Sequence, residues 1–316
     1  MTTKAMTWLL AGAAALVAAG AAQAADPESC QTVRFSDVGW TDITSTTAAT
    51  AEVLKGLGYE PEIEILAVPV TYASLKNKDI DVFLGNWMPT MEGDVRPYLE
   101  DGSVENVGVN LEGAKYTLAV PSYLAEQGLK DFADIAKFKD QLDGQIYGIE
   151  PGNDGNRLIL QMIEDDAFGL GEFELVESSE QGMLAQVARA TSAEEPIVFL
   201  GWEPHPMNAN FDLAYLSGGD EVFGPDYGGA TVYTNVRAGY LDECPNVGQL
   251  LKNQKFTLEM ENQIMGAILD ESEAPEDAAQ AWLKEHPDVL ETWLEGVTTL
   301  EGEPGLPAVR EHFGLS

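Results

Sequence analysis

Basic residues are scarce in this chain of 316 residues: 17 lysines and arginines stand against 53 aspartates and glutamates, a formal charge of −36. A field of that sign repels nucleic acid and anionic membrane surfaces, so neither is expected as a partner. It attracts small cations, although acidity on this scale also serves plain solubility. Histidine is scarcer still: His205, His286 and His312 are the 3 present, and their spacing matches no metal site. The sequence contains no Gly-x-Ser-x-Gly elbow, no phosphate loop and no dinucleotide-binding glycine fingerprint. Those absences remove the usual routes to nucleophilic, phosphoryl-transfer and hydride chemistry, so no catalytic residue, metal or cofactor is expected. His205, inside Glu203-Pro204-His205-Pro206, reads as a structural loop histidine. Paired carboxylates abound in so acidic a chain, and hydrolysis by an acid–base pair stays open as an alternative.

After residue 24 no segment stays apolar over the roughly 20 residues that a membrane helix needs. The start of the chain is different. Met1 to Lys4 carries one positive charge, Trp8 to Ala22 is apolar but short for a bilayer, and Ala22-Gln23-Ala24 has the small-x-small pattern of a cleavage site. Residues 1–24 are therefore expected to be an export signal peptide. The mature chain would start at Ala25, outside the cytoplasm and in the periplasm of a two-membrane cell. No cysteine directly follows the apolar run, which argues against a lipid anchor. Cysteine is limited to Cys30 and Cys244. In an oxidising compartment they suit one disulfide, which would put the start of the mature chain and its last third in one domain. Two buried free thiols are the alternative.

About 290 residues remain, room for two domains of ordinary size. Strand-like and helix-like segments alternate along them. Residues 32–35, 62–68 and 81–84 read as strands, separated by helical patterns over 42–56 and 70–77. That is a β-α-β-α-β half of a mainly parallel sheet. A second half follows, with strands near 115–120, 146–149, 173–177, 196–200 and 211–216 and helices over 156–168 and 179–191. Residues 230–235 lead out of it as a strand, and beyond Asn246 the chain reads as helical, with Trp282 and Trp293 on core-facing positions. No long linker or repeat separates the halves, so short strand-like crossings near residues 111–114 and 228–232 should join them. The expected architecture is an α/β clamshell with two hinge crossings: a signal peptide over 1–24, one lobe from 25–111 plus 231–316, the other from 112–230.

Four aromatic residues sit where the apolar strand-like runs break. They are Trp40 in Val38-Gly39-Trp40-Thr41-Asp42, Trp87 in Phe83-Leu84-Gly85-Asn86-Trp87-Met88-Pro89, Tyr116 in Ala114-Lys115-Tyr116-Thr117, and Trp202 in Phe199-Leu200-Gly201-Trp202-Glu203-Pro204. In open α/β sheets ligands bind beyond the carboxyl ends of strands, where Trp40, Trp87 and Trp202 are predicted to lie. Indole and phenol faces attract a cation that has no N–H to donate, so convergence of these four would make a cage for a quaternary ammonium. Any one of them taken alone is as well explained by packing. Asp42 reads either as a first-turn helix acid or as a carboxylate beside the aromatic faces. In the turn Glu150-Pro151-Gly152-Asn153-Asp154-Gly155-Asn156, Asn153 is placed to hydrogen-bond a ligand hydroxyl, and Arg157 to pair with Glu150 or Asp154.

The run Val198-Phe199-Leu200-Gly201-Trp202-Glu203-Pro204-His205-Pro206 resembles the Gly-Trp-x-Pro-His signature of the periplasmic glycine betaine, proline betaine and choline binding proteins of ABC importers. The segments 81–89 and 38–42, and the C-terminal Trp282-Leu283, His286-Pro287, Trp293-Leu294 and Gly296-Val297, are similar to its choline-binding branch. The resemblance spans essentially the mature chain. It implies a type II, two-lobed periplasmic binding protein, with Trp40, Trp87, Tyr116 and Trp202 as the cage and Asp42 and Asn153 as polar contacts. It also implies a disulfide between Cys30 and Cys244, and membrane ABC permease subunits as partners of a monomeric chain.

Charge argues for choline within that group. The carboxylate of glycine betaine would face Asp42, and like charges about 4 Å apart repel by about 4 kcal/mol at an effective dielectric near 20. Choline offers a hydroxyl there instead. Acetylcholine is a further candidate, and betaine a weaker one. Two other readings remain: a polyamine-binding protein, which would call for several carboxylates rather than four aromatics, and an exported hydrolase of choline esters or sugars.

Overall fold

The computed structural model describes residues 26–315, so the expected signal peptide lies outside the described residues. β1 (Thr32–Asp37), β2 (Glu60–Ile65) and β3 (Val82–Met88) alternate with helices α1 (Thr41–Gly56) and α2 (Val68–Asn77), and α3 (Glu92–Glu100) follows. β1 pairs in parallel with both β2 and β3. The 18-residue strand β4 (Val104–Pro121) then leads to a second set: β5 (Gln145–Tyr147), β6 (Glu174–Val176) and β7 (Phe199–Glu203), interleaved with α4 (Asp154–Glu164) and α5 (Glu180–Ala193). β8 (Leu213–Tyr215) pairs with β4 to one side, and β9 (Gly229–Arg237) carries the chain back. The strand order is β2-β1-β3-β9-β4-β7-β5-β6.

The sheet is therefore mixed rather than mainly parallel. β1 to β3 are parallel at one end and β5 to β7 at the other, while β4 and β9 pair antiparallel with each other and with β7 and β3. The reason is topological. A chain that crosses to a second lobe and comes back must run once in each direction, and the two crossings here lie side by side. β4 and β9 pair from Val104↔Arg237 to Lys115↔Gly229, with the register shifting between Leu111↔Val232 and Ala114↔Ala230. From Lys115 onward β4 pairs instead with β7, so one strand belongs to both ends of the sheet. The result is a two-lobed clamshell with the crossings at its hinge.

The last third of the chain returns to the first end. α6 (Leu258–Leu269), α7 (Pro275–Glu285) and α8 (Gly305–His312) pack on α1. Small residues make this possible: Thr46, Thr47, Ala48, Ala49, Thr50 and Ala51 are all buried, and their short side chains let neighbouring helices approach α1 on most of its sides. Trp293 is core, as its spacing predicts, but Trp282 is only half-buried, its ring stacked on His286 and its Nε1 donating to Gln263 at 2.6 Å. The edge strand β2 is largely exposed and alternates Glu60, Glu62 and Glu64 with apolar residues, a charge pattern that discourages pairing with another sheet.

Two long-range ties lock this end. Cys30 and Cys244 form a disulfide across a sequence separation of 214. Asp81, just before β3, accepts from Arg34 of β1 at 2.8 to 3.0 Å and from Arg237 of β9 at 2.6 Å. Burial alone would raise the pKa of Asp81, but the hydrogen bonds from Arg34 and Arg237 outweigh it and hold the carboxyl below the ordinary range. Replacing both cysteines by alanine should cost about 5 kcal/mol, the chain-entropy value for so long a loop, read as a lowered midpoint in denaturant titration.

Candidate functional site

β1 ends in a turn that aims Trp40. Asp37 accepts from Gly39 N at 2.7 Å and from Thr44 Oγ1 at 2.7 Å, and Gly39 takes φ 82°, a left-handed conformation that favours glycine. Trp40 then stands at the N-terminus of α1, with Asp42 in the first turn. Trp87 and Trp202 are the sixth residue of β3 and the fourth of β7, inside the strands rather than beyond them, because both ladders continue through the tryptophans. Tyr116 lies in β4 directly opposite Trp202, which puts both rings on one face of the sheet.

These elements bring the aromatic residues together. The Tyr116 ring meets Trp87 edge-on at 6.1 Å between centroids and Trp202 at 6.2 Å, with interplanar angles of 63° and 83°. Trp40, Asp42, Trp87, Tyr116, Asn153 and Trp202 all line one cavity, together with Ile149 and Asp154. All eight are buried. The cavity is small, so it suits a small solute rather than a drug-sized one.

Hydrogen bonds fix the walls. Trp87 Nε1 donates to Asp42 Oδ2 at 3.1 Å, and Trp40 Nε1 donates to Glu150 Oε1 at 2.8 Å across the cleft. The Tyr116 hydroxyl donates to Asn153 Oδ1 at 2.9 Å, and that same oxygen caps α4 by accepting from Asn156 N at 3.0 Å. Asn153 thus positions Tyr116 as well as lining the cavity. Gly155 is required for this contact, since a Cβ there would sit 2.1 Å from the Tyr116 hydroxyl oxygen. Arg157 takes another direction than the sequence suggested. It donates to Asp94 at 2.7 Å and to the carbonyl of Thr90 at 2.8 Å, because α4 carries it out towards α3.

The electrostatics of the cavity are one-sided. Among the described residues its lining holds two carboxylates and no lysine, arginine or histidine. Asp42 Oδ1 and Asp154 Oδ2 are buried without a hydrogen-bond partner among the described residues. Burial, reinforced by the charge of Glu180, pushes the Asp42 carboxyl up to about 8. Burial likewise lifts Asp154 to about 6 and the adjoining Glu150 to about 7. Such groups accept either a proton or a cation. With aromatic faces on several sides and carboxylates between them, the cavity is built for a small cation without N–H donors, and it opposes a ligand that carries its own carboxylate. Asp154 and Ile149 escaped the sequence reading. Asp154 stands next to Asn153 in the singled-out turn, but a first-turn helix acid gives no signal of pointing inward.

The comparisons agree with this geometry. The OpuAC family model, described as the substrate binding domain of ABC-type glycine betaine transport system, matches residues 31–285. An ABC-transporter choline binding protein in complex with choline is 68% identical and superposes with a TM-score of 0.91, covering 92% of this chain and 100% of its own. A structure described as the ABC-transporter choline binding protein in unliganded semi-closed conformation, also 68% identical, superposes with a TM-score of 0.84 over 91% of this chain and 100% of its own. An uncharacterized protein of Chromohalobacter salexigens is 56% identical over 129 residues, 41% of this chain and 83% of that protein.

A carboxyl whose pKa is higher in the folded than in the unfolded state stabilises the fold while protonated, and that contribution disappears as pH rises through the folded value. For Asp154, Glu150 and Asp42 those values are about 6, 7 and 8, against ordinary unfolded values of about 4, so the empty protein should lose stability as pH rises from about 4 to about 8. Calorimetric thermal midpoints across that range should fall, and Asp42→Asn or Asp154→Asn should flatten the slope.

Proposed function

Because the chain belongs to the family of substrate-binding domains of ABC-type glycine betaine transport systems, we propose that it captures choline outside the cytoplasm and delivers it to a membrane ABC permease. The observation that carries the choice of ligand is the cavity lining: among the described residues, four aromatic residues, two carboxylates and no basic side chain. In this reading Trp40, Trp87, Tyr116 and Trp202 surround the trimethylammonium group. Asp42 and Asp154 compensate its charge, and the orphan oxygen of Asp42 together with the Nδ2 of Asn153 meets the hydroxyl. A desolvated cation–π contact contributes about 2 kcal/mol, so several faces suffice for micromolar binding after the cost of association.

Glycine betaine is the natural competitor, given the family. Its carboxylate would enter a cavity that already holds two acids and, among the described residues, no basic side chain; each acid that is ionised about 4 Å away repels it by about 4 kcal/mol. Acetylcholine adds an acetyl group to a small cavity with buried walls and should bind more weakly than choline. No nucleophile paired with a base lines the cavity among the described residues, which favours capture over hydrolysis of a choline ester. The proposal includes a periplasmic location, a monomer, and two lobes formed by residues 25–111 plus 231–316 and by 112–230, which close over the ligand by bending at β4 and β9.

Tryptophan fluorescence should respond saturably to choline at micromolar concentration, and at least a hundredfold higher glycine betaine should be needed for the same response. Equal affinities would refute the charge argument. Trp202→Ala should weaken choline binding by about 30-fold, the equivalent of one desolvated cation–π contact, with an unchanged far-ultraviolet circular dichroism spectrum. Steady release of a product from choline esters would instead favour the hydrolase.

A further inference from the structure

Glu180 is buried and is not part of the cavity wall, yet it touches both sides of the cleft. It lies in the first turn of α5, on the β5–β7 side. One carboxylate oxygen accepts from Thr41 N at 2.8 Å, and the other accepts from Thr41 Oγ1 at 2.5 Å. Thr41 is the residue between Trp40 and Asp42 on the opposite lobe, and its N–H opens α1, where no helical acceptor exists. The second oxygen also faces His205 Nε2 at 3.2 Å. His205 Nδ1 accepts from Met207 N at 2.9 Å, which leaves the hydrogen on Nε2 and makes it the donor to Glu180. The His205 ring in turn packs edge-on against Trp202, 4.9 Å between centroids. A single carboxylate thus connects the Trp40–Thr41–Asp42 wall to the Trp202–His205 wall.

The other polar links across the cleft involve at least one more exposed group: Trp40 donates to the half-buried Glu150, and Arg157 to Asp94 and Asn210 to Asp270 both lie partly in solvent. Opening the cleft would return Thr41 and Glu180 to water, so their hydrogen bonds stabilise the closed form selectively. They are charge-assisted and buried, the stronger class of hydrogen bond. Glu180 also places negative charge at the N-terminus of α1, where the helix dipole favours it.

We propose that Glu180 is a positioning residue that latches the closed cleft through Thr41 and so sets the residence time of the ligand without touching it. This rests on the binding-protein reading above. Glu180→Gln removes the charge and weakens the latch. Thr41→Val removes one donor and leaves every charge in place, which separates latching from simple attraction of a cation.

The test is stopped-flow tryptophan fluorescence with choline. Each variant should raise the dissociation rate about tenfold or more while the association rate stays within about twofold. The double variant should be little worse than the worse single one, because both remove the same interaction. The ligand-free thermal midpoint should hold. Unchanged dissociation rates, additive effects, or a ligand-free midpoint that falls in step with the faster release would overturn the latch. Spin labels at the exposed positions Glu62→Cys and Gln141→Cys, one on each lobe, report closure with or without ligand. Distances in Glu180→Gln should shift towards the open form, and identical distributions would also overturn it. Failure of the wild type to bind choline would sink the choline assignment, while the label distances would still decide the latch.

Discussion

Among the described residues, Asp42 and Asp154 each keep a carboxylate oxygen buried and unpaired in the same cavity, where the walls are aromatic and no basic side chain answers them. Removing an ionised carboxylate from water without a partner costs several kcal/mol, so the empty site favours the protonated acids. A cation that cannot donate an N–H relieves that penalty without displacing the existing hydrogen bonds to Trp87 and Asn153. The aromatic faces add attraction through their quadrupoles, and they exclude water, which strengthens the charge term. The acidity of the site and its aromatic walls therefore act together: either alone would be a weaker and less selective trap.

The fold supplies these groups from separate elements and ties them through a few polar atoms. Tyr116 sits on β4, the strand shared by both ends of the sheet, and Asn153 Oδ1 holds its hydroxyl while capping α4. Asp42 is delivered by the first turn of α1, which the turn at Asp37 and Gly39 orients. Such sharing means that the rigid parts of the scaffold and the ligand walls are the same residues. The contacts from Trp40 to Glu150 and from Thr41 to Glu180 tie the start of α1 to the groups around β5–β7, so they complete the wall of the site as well as enclosing it.

Much of this was legible before any coordinates. Apolar alternation and helix-start residues located α1, β1, β3 and α5 to within a few residues, because those signals are local. The two isolated cysteines pointed to the disulfide found between Cys30 and Cys244. The aromatic residues were marked by their places at the ends of apolar runs, and they share one cavity. Local patterns failed where pairing decides. β4 runs from Val104 to Pro121, far beyond the expected 115–120, because its first part is held by β9, a strand more than 100 residues away in the chain. The same pairing turned a mainly parallel sheet into a mixed one.

The sequence by itself determined which residue types were available: an excess of carboxylates, four ring-bearing residues where apolar runs break, hardly any histidine, and a cysteine pair. These follow from composition and from short-range periodicity. Only the tertiary structure decided that Asp154 points inward while Arg157 points out, that Glu180 bridges the cleft, and that Asp42 loses its solvent. Desolvation and partner choice are properties of an enclosed volume, and a volume is closed by segments that the linear chain keeps far apart.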